Sequence, residues 1–256
     1  MNKRKEPVIL VTNDDGITAP GIRALVEAVK GFGRIVIVAP DSPQSGMGHA
    51  ITVNEPLRMS QSKEYGKLEA YSTSGTPVDC VKLGIYEILK FSPDLIVSGI
   101  NHGSNVSTNV LYSGTMSAAV EGALEGIPSI GFSLLDYSMN ADFKPAQKVV
   151  KSVVKEVLQK GMPEGICFNV NIPKLPSNKI KGIKICRQAH AFWEDKFDLR
   201  NDPLGKPYYW LTGEFKSYDE SSDTDIWALE HGYVSLVPTQ YDMTAHSVMK
   251  KLKYQF

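Results

Sequence analysis

Two adjacent carboxylates, Asp14 and Asp15, stand directly behind a short apolar run, Val8-Ile9-Leu10-Val11-Thr12, with the amide of Asn13 before them and Gly16 after them. Neighbouring acids repel, and one of the two holds its proton more tightly than usual unless a positive charge lies close by. The next basic residue along the chain is Arg23. A hard divalent cation such as Mg2+ or Mn2+ would relieve that repulsion, because such ions choose oxygen ligands and accept one or two carboxylates together with water. The alternative is local: Asp14 caps the helix that follows and Asp15 makes an Asx turn. Residues 8–21 alone leave both readings open.

Other loops carry oxygen donors in equivalent places. Residues 40–48 follow a second apolar run, at 34–39, and contain Ser45 and Gly46. Residues 101–105 follow a third, at 94–100, and begin with Asn101. If these three runs are neighbouring parallel strands, their loops meet at one edge of the sheet, where open α/β folds bind ligands. Two carboxylates, a hydroxyl and an amide oxygen then leave room for water in an octahedral shell, which suits Mg2+ or Mn2+ and not a thiolate-seeking metal. Tyr112-Ser113-Gly114-Thr115 precedes a small-residue helix at 116–124. A helix N-terminus offers backbone N–H groups and a positive dipole end, and Ser113 and Thr115 add hydroxyls, so an anion fits there as well as an ordinary cap does. A cation and an anion site on one edge would together suit a phosphate ester. The ion would neutralise phosphoryl oxygens and acidify a water, and the helix end would hold the remaining charge.

The elements that must position these residues follow from apolar patterning. Pro20 suits a first helical turn, and Ile22, Leu25, Val26 and Val29 form the stripe of a helix with one buried face. Thr76 with Pro77 opens a second helix, carrying Val78, Val81, Ile85, Ile88 and Leu89. Runs at 129–134 and 166–172 read as further buried strands, with a helix marked by Val149, Val153, Val154 and Val157 between them. Short β-like runs are expected near 51–53 and 68–72. This alternation of strand and helix predicts an α/β fold with a mostly parallel sheet covered by helices on both faces. Beyond about residue 173 the pattern changes. Strands are expected at 180–187, 208–212 and 232–238, with a loop at 191–206, a solvated turn at 219–223 and weak helical character from 245. A C-terminal β-hairpin or arm with a terminal helix is therefore expected on a single domain of 1–256, with 8–173 as its core and about 180–256 as an elaboration.

Composition excludes several classes. Among the 256 residues, 28 are Lys or Arg and 28 are Asp or Glu, a balance that argues against a polybasic binder of nucleic acid or membrane surface. No apolar run approaches the ~18 residues of a membrane span, nor the core of a secretion signal. Three cysteines, Cys80, Cys167 and Cys186, lack metal-ligand spacing and fit reduced, buried thiols, so a cytoplasmic protein is expected.

The motifs together resemble one family. Thr12-Asn13-Asp14-Asp15-Gly16, Ala19-Pro20-Gly21, Ser45-Gly46, Gly75-Thr76-Pro77-x-Asp79-Cys80, Val97-Ser98-Gly99-Ile100-Asn101-x-Gly103, Tyr112-Ser113-Gly114-Thr115 and Asp242-x-Thr244-Ala245-His246-Ser247 occur in the order found in the SurE survival proteins, from about residue 8 to 247. The resemblance implies a Rossmann-like core and oligomers (dimer or tetramer) that exchange C-terminal segments. It also implies hydrolysis of nucleoside monophosphates to nucleoside and phosphate, as 5′- and also 3′-nucleotidases, with short polyphosphate as a further substrate of some members. It implies one divalent cation per subunit, Mg2+ or Mn2+, held by Asp14, Asp15, Ser45 and Asn101. Asp14 and Asp15 are the catalytic candidates, and Asn13, Gly46, Ser113, Gly114 and Thr115 are the expected phosphate contacts. His102 and Met47-Gly48-His49 depart from the family pattern without touching the metal set.

Two routes to hydrolysis remain open at this stage: attack by an activated water with one Asp orienting or deprotonating it, or Asp14 as a covalent nucleophile. His49 and His102 read as solvated residues or as phosphate contacts. Asp242 and His246 read as a pair pinning the tail at a subunit contact, with direct catalysis as the alternative. The aromatics Phe192, Trp193, Tyr208, Tyr209 and Trp210 read as stacking a base or as packing against a neighbouring subunit. A dinucleotide-binding dehydrogenase would need glycines where the two acids stand. A nucleotide-sugar transferase or a non-catalytic interaction protein would be separated by metal-dependent phosphate release from simple phosphomonoesters.

Overall fold

The chain was analysed as a computed structural model, which describes residues 6–138, 140–249 and 251–252. Strand β1 (Val8–Thr12) is buried along its whole length, and its side chains alternate between two layers. Ile9 and Val11 face one apolar cluster and Val8 and Leu10 face another, the period-2 division expected of a strand covered on both sides. The first cluster is completed by helices α1 (Pro20–Val29) and α4 (Lys144–Lys160), the second by α2 (Pro77–Leu83) and α3 (Gly114–Leu124). Strands β2 (Arg34–Pro40), β4 (Glu69–Thr73), β5 (Leu95–His102), β6 (Ser129–Leu134) and β7 (Ile166–Ile172) lie parallel to β1, flanked by a short antiparallel β3 (Met59–Gln61). The strand order is β3-β4-β2-β1-β5-β6-β7, followed by β11 (Val234–Gln240), antiparallel to β7, and β8 (Ile183–Ile185). The chain winds from β1 toward β2 and β4 and then returns to place β5 on the other side of β1. The switch point therefore falls between β1 and β5.

The α/β class, the two helical layers and the C-terminal hairpin agree with expectation; several details differ. Residues 51–53 join no ladder; instead Thr52 donates to the Asp79 carboxylate, through its hydroxyl at 2.6 Å and its backbone N–H at 3.2 Å. The stretch expected to be a loop at 191–206 is mostly strand. Strand β9 (Ala191–Asn201) pairs rung by rung with β10 (Pro207–Ser217) in a projecting two-stranded hairpin. Both faces of that hairpin are largely exposed, so no alternation of burial is written into its residues. A short helix α5 (Asp225–Glu230), capped by Thr224, also went unforeseen. The helical tail appears as α6 (His246–Met249), and part of that expectation falls on positions outside the described residues. Cys80, Cys167 and Cys186 are buried and unpaired, and among the described residues no helix is long and apolar enough to cross a membrane.

Two buried joints hold the frame around the site. Thr76 caps α2 by accepting the Asp79 N–H, and Asp79 accepts the Thr76 N–H in return at 2.9 Å, a capping box in a buried setting. Replacing Asp79 with Ala leaves that N–H and the Thr52 hydroxyl without an acceptor. A loss of roughly 2–4 kcal/mol is expected, measurable as a lowered urea midpoint. Asp225, also buried, accepts N–H groups from Ser107 at 2.8 Å and Ala189 at 3.0 Å. It thereby ties the 3-10 turn Ser107–Tyr112 to the root of the hairpin.

Candidate active site

The three loops do converge. Parallel β2, β1 and β5 end side by side, and backbone bonds stitch their loops together. Gln44 donates to the Asp14 carbonyl at 2.7 Å and Ile17 donates to the Pro40 carbonyl at 2.8 Å. The Asn13 side chain donates to the Gly16 carbonyl at 3.0 Å and closes the turn between β1 and α1. Gly21 lets α1 approach β5, since a Cβ there would lie 1.9 Å from the Ile100 carbonyl oxygen. The result is a cleft of about 270 Å³ whose wall includes Asp14, Asp15, Ser45, Gly46, Asn101 and Ser113. Asn101 donates its amide N–H to the Gly103 carbonyl at 2.9 Å, which leaves its amide oxygen for another partner.

The remaining expected contacts sit behind the wall. Thr115 is fully buried, and its hydroxyl donates to the Asp14 carboxylate. Gly114 lies against Asp14, so that a Cβ at this position would come within 2.6 Å of the Asp14 Cβ. Ser113 caps α3 by accepting the Met116 N–H at 3.0 Å. The helix end thus serves Asp14 first: Thr115 bonds it through both hydroxyl and backbone. Asn13 is likewise buried behind the acids.

Burial raises the Asp14 carboxyl from 3.8 to about 6, against the Thr115 hydroxyl bond, which favours the charged form, and with the Asp15 charge adding to the rise. Asp15 is raised by burial too, an effect opposed by the nearby His102. One Asp15 carboxylate oxygen and the Asn13 amide oxygen are buried without a hydrogen-bond partner among the described residues. Among the described residues no three His, Cys, Asp or Glu side chains gather as a metal cluster, so a cation here must rely on two acids plus neutral oxygens.

Several lining residues were not read from the sequence as site residues: Asn105, Asn109 and Tyr137. For Asn105 a signal existed in the polar residues Asn169 and Asn171 inside the otherwise apolar β7. Asn105 receives its carbonyl partner from the Asn169 amide at 2.7 Å and donates its own N–H to Asn171 at 2.7 Å. Trp193, read from the sequence as stacking a base or packing against a neighbouring subunit, is brought to the cleft by the hairpin. His102 lines the cleft with both ring nitrogens unpartnered among the described residues and its ring in an edge contact with Phe143. His49 turns away to Glu121, 2.8 Å distant, and so anchors the far end of the Ser45 loop. His246 pairs with Asp242 at 2.6 Å on the exposed tail, and neither lines the cleft.

Comparison with known proteins places the chain in a family. The profile of the family described as Survival protein SurE matches residues 9–195. The chain belongs to the SurE family. A protein of Christiangramia forsetii named 5′-nucleotidase SurE is 63% identical over 254 residues, spanning 98% of this chain and 97% of that one. A protein of the same name from Flavobacterium psychrophilum is 61% identical over 248 residues, 96% of each. The crystal structure of the SurE protein from Aquifex aeolicus superposes with a TM-score of 0.85 at 45% identity, covering 97% of this chain and 99% of that one. The SurE fold thus extends through the hairpin and β11, beyond the stretch the family profile covers.

Proposed function

We propose that this SurE-family chain is a divalent-metal-dependent phosphomonoesterase that hydrolyses nucleoside monophosphates to nucleoside and phosphate. It is a 5′-nucleotidase, with 3′-nucleotidase and exopolyphosphatase activity as secondary reactions. The observation that carries this reading is the meeting of Asp14, Asp15, Ser45 and Asn101 on one cleft, where a buried carboxylate oxygen has no donor. An uncompensated acid oxygen in a buried site fits a cation, and an all-oxygen set fits Mg2+ or Mn2+. When bound, the ion supplies charge neutralisation at phosphoryl oxygen and a more acidic water.

The chain's own groups do the rest. Ser113 and Gly46 hold phosphoryl oxygens from the cleft wall. Gly114, Asn13 and Thr115 act from behind, keeping Asp14 in one orientation. One acid of the pair aligns the attacking water and accepts its proton, while the ester oxygen leaves toward the open mouth and takes a proton from solvent. About 180–256 forms an oligomerisation elaboration on a single domain. Exposed Phe197, Tyr209 and Trp210 on the hairpin support a dimer or tetramer. Three buried unpaired thiols are consistent with a cytoplasmic setting.

The test is phosphate release from a panel of 5′- and 3′-nucleoside monophosphates and short polyphosphate, with Mg2+, Mn2+ or EDTA. Release from the 5′-monophosphates that requires the ion and stops with EDTA is expected. Undiminished release in EDTA would remove the metal, and no release from any nucleotide would remove the reading.

A further inference from the structure

Ser45 and Gly46 sit on an open stretch of loop. Residues 45–47 are exposed, and the glycines at 46 and 48 hold positive φ, of 77° and 55°, so no side chain of theirs stiffens the backbone there. On the near side the loop is tied to the acids, through the Gln44 N–H and the Asp14 carbonyl. On the far side the Gly48 N–H donates to the Tyr112 carbonyl at 3.3 Å, a long bond. His49 is the first side chain after Ser45 to hydrogen-bond the α/β body among the described residues. Its partner is Glu121, 2.8 Å away on α3.

Glu121 is an unusual partner for a partly exposed ring. It is 4% exposed, and its other carboxylate oxygen meets the Lys82 ammonium of α2 at 2.5 Å. Burial works against its charge, but the bonds from His49 and Lys82 outweigh burial and hold the carboxyl below its ordinary value. The buried apolar surface of α3 comes from Met116, Ala118, Ala119 and Ala123, so the acid is not part of its packing stripe. The same helix carries Thr115, whose hydroxyl donates to the Asp14 carboxylate. Thr115 stands about 9 Å nearer the N-terminus along the helix axis. One rigid element therefore grips both an acid of the pair and the root of the loop that bears Ser45.

We infer that Glu121 is a positioning residue for the cation site: through His49 it sets where Ser45 stands relative to Asp14. The inference rests on the metal-dependent reading of the cleft and adds to it a residue outside the cleft wall. Glu121 touches neither ion nor substrate. Its contribution is made before either arrives, by reducing the conformations open to residues 45–48. The Ser45 hydroxyl is then already near the acids when a cation enters. Lys82 has a supporting part, since it occupies the other Glu121 oxygen and leaves the carboxylate one orientation toward His49.

The experiment measures Mn2+ binding by equilibrium dialysis, without substrate, with thermal melts of the metal-free proteins alongside. It uses the full-length chain, His49→Ala, His49→Gln, Glu121→Leu, Ser45→Ala and the double variant Ser45→Ala/His49→Ala. His49→Ala should weaken the Mn2+ Kd about tenfold, the lower end of what losing the outer partner of a ligand costs. Its metal-free melting midpoint should stay close to that of the native chain, because the ring is partly solvated. His49→Gln, which places an amide N–H about where the ring Nε2 stands, should recover most of the affinity. Glu121→Leu should match His49→Ala in Kd; should it fail to fold, the two His49 variants carry the test unaided. The double variant should bind no more weakly than Ser45→Ala alone, since a residue acting through Ser45 has nothing left to act on. An unchanged Kd in His49→Ala, or single losses that multiply in the double variant, would overturn the positioning role and leave the cation site standing. A native chain that takes up no Mn2+ would remove the cation site and the positioning role together.

Discussion

Asp14→Asn is expected to abolish turnover, by at least 10²- to 10³-fold, while the metal-free protein becomes no less stable. The size of the kinetic loss is that of removing a principal charged group from a preorganised site. The second half of the expectation comes from burial. Asp14 is 4% exposed and its carboxyl is raised from 3.8 to about 6. A carboxyl whose folded value lies above its unfolded one favours the folded state most at low pH. That contribution is complete below about 3.8 and is lost as pH rises through about 6. At ~1.4 kcal/mol per pKa unit the buried charge costs up to about 3 kcal/mol at neutral pH. Asparagine removes that cost, and in the native chain a divalent ion should offset it. Thermal melts of both proteins from pH 4 to 8, with and without Mg2+ or Mn2+, check the expectation. The native chain should gain most from the ion above pH 6 and least near pH 4, and the Asp14→Asn chain should show little of this dependence. A variant that stays active, or that melts far below the native chain at pH 7.5 without metal, would contradict the role given to Asp14.

Gly21→Ala should have the largest effect on stability of any single methyl group added near the site. The new Cβ would lie 1.9 Å from the Ile100 carbonyl oxygen, and the obstacle is backbone, not a side chain able to swing away. Either α1 lifts from β5 or the end of β5 bends. Overpacking of this kind costs 1–3 kcal/mol in ordinary cores. A value of about 3 kcal/mol or more is expected, lowering the melting midpoint by about 6–12 °C. Because α1 follows the loop bearing Asp14 and Asp15, and Ile100 precedes Asn101, the displacement also separates the acids from the amide. Weaker stabilisation by added Mn2+ should therefore accompany the lower midpoint. A variant with native stability would show that α1 does not seat on β5 as described.

Much of this arrangement was legible from residue order alone, and the reasons are physical. β1, β2, β5, β6 and β7 are covered on both sides, so their apolar runs are continuous and end abruptly where polar loops begin. The Thr76-Pro77-x-Asp79 start of α2 is a local device and reads locally. The hairpin is the opposite case. β9 has little buried surface to shape its composition, and its partner alone determines that it is a strand. The same non-locality hid Tyr137, whose ring reaches the cleft wall only because β6 lies beside β5 and sets it against Gly103. Thr115 was recognised as belonging to the site, but its task of gripping Asp14 depends on α3 docking across β5 and β6 so that its first turn reaches the end of β1. No spacing along the chain reveals that.

The position of the switch point between β1 and β5 has a consequence for biosynthesis. A ribosome releases the two acids early, yet the strand that must lie beside them, and the amide at its end, emerge some eighty residues later. Until then one edge of β1 has no neighbour, and any cation meets only the acidic half of its cage. A cation held as proposed would therefore be captured only once the polypeptide has doubled back on itself. Nascent fragments stopped short of β5 should neither retain the ion nor resist protease.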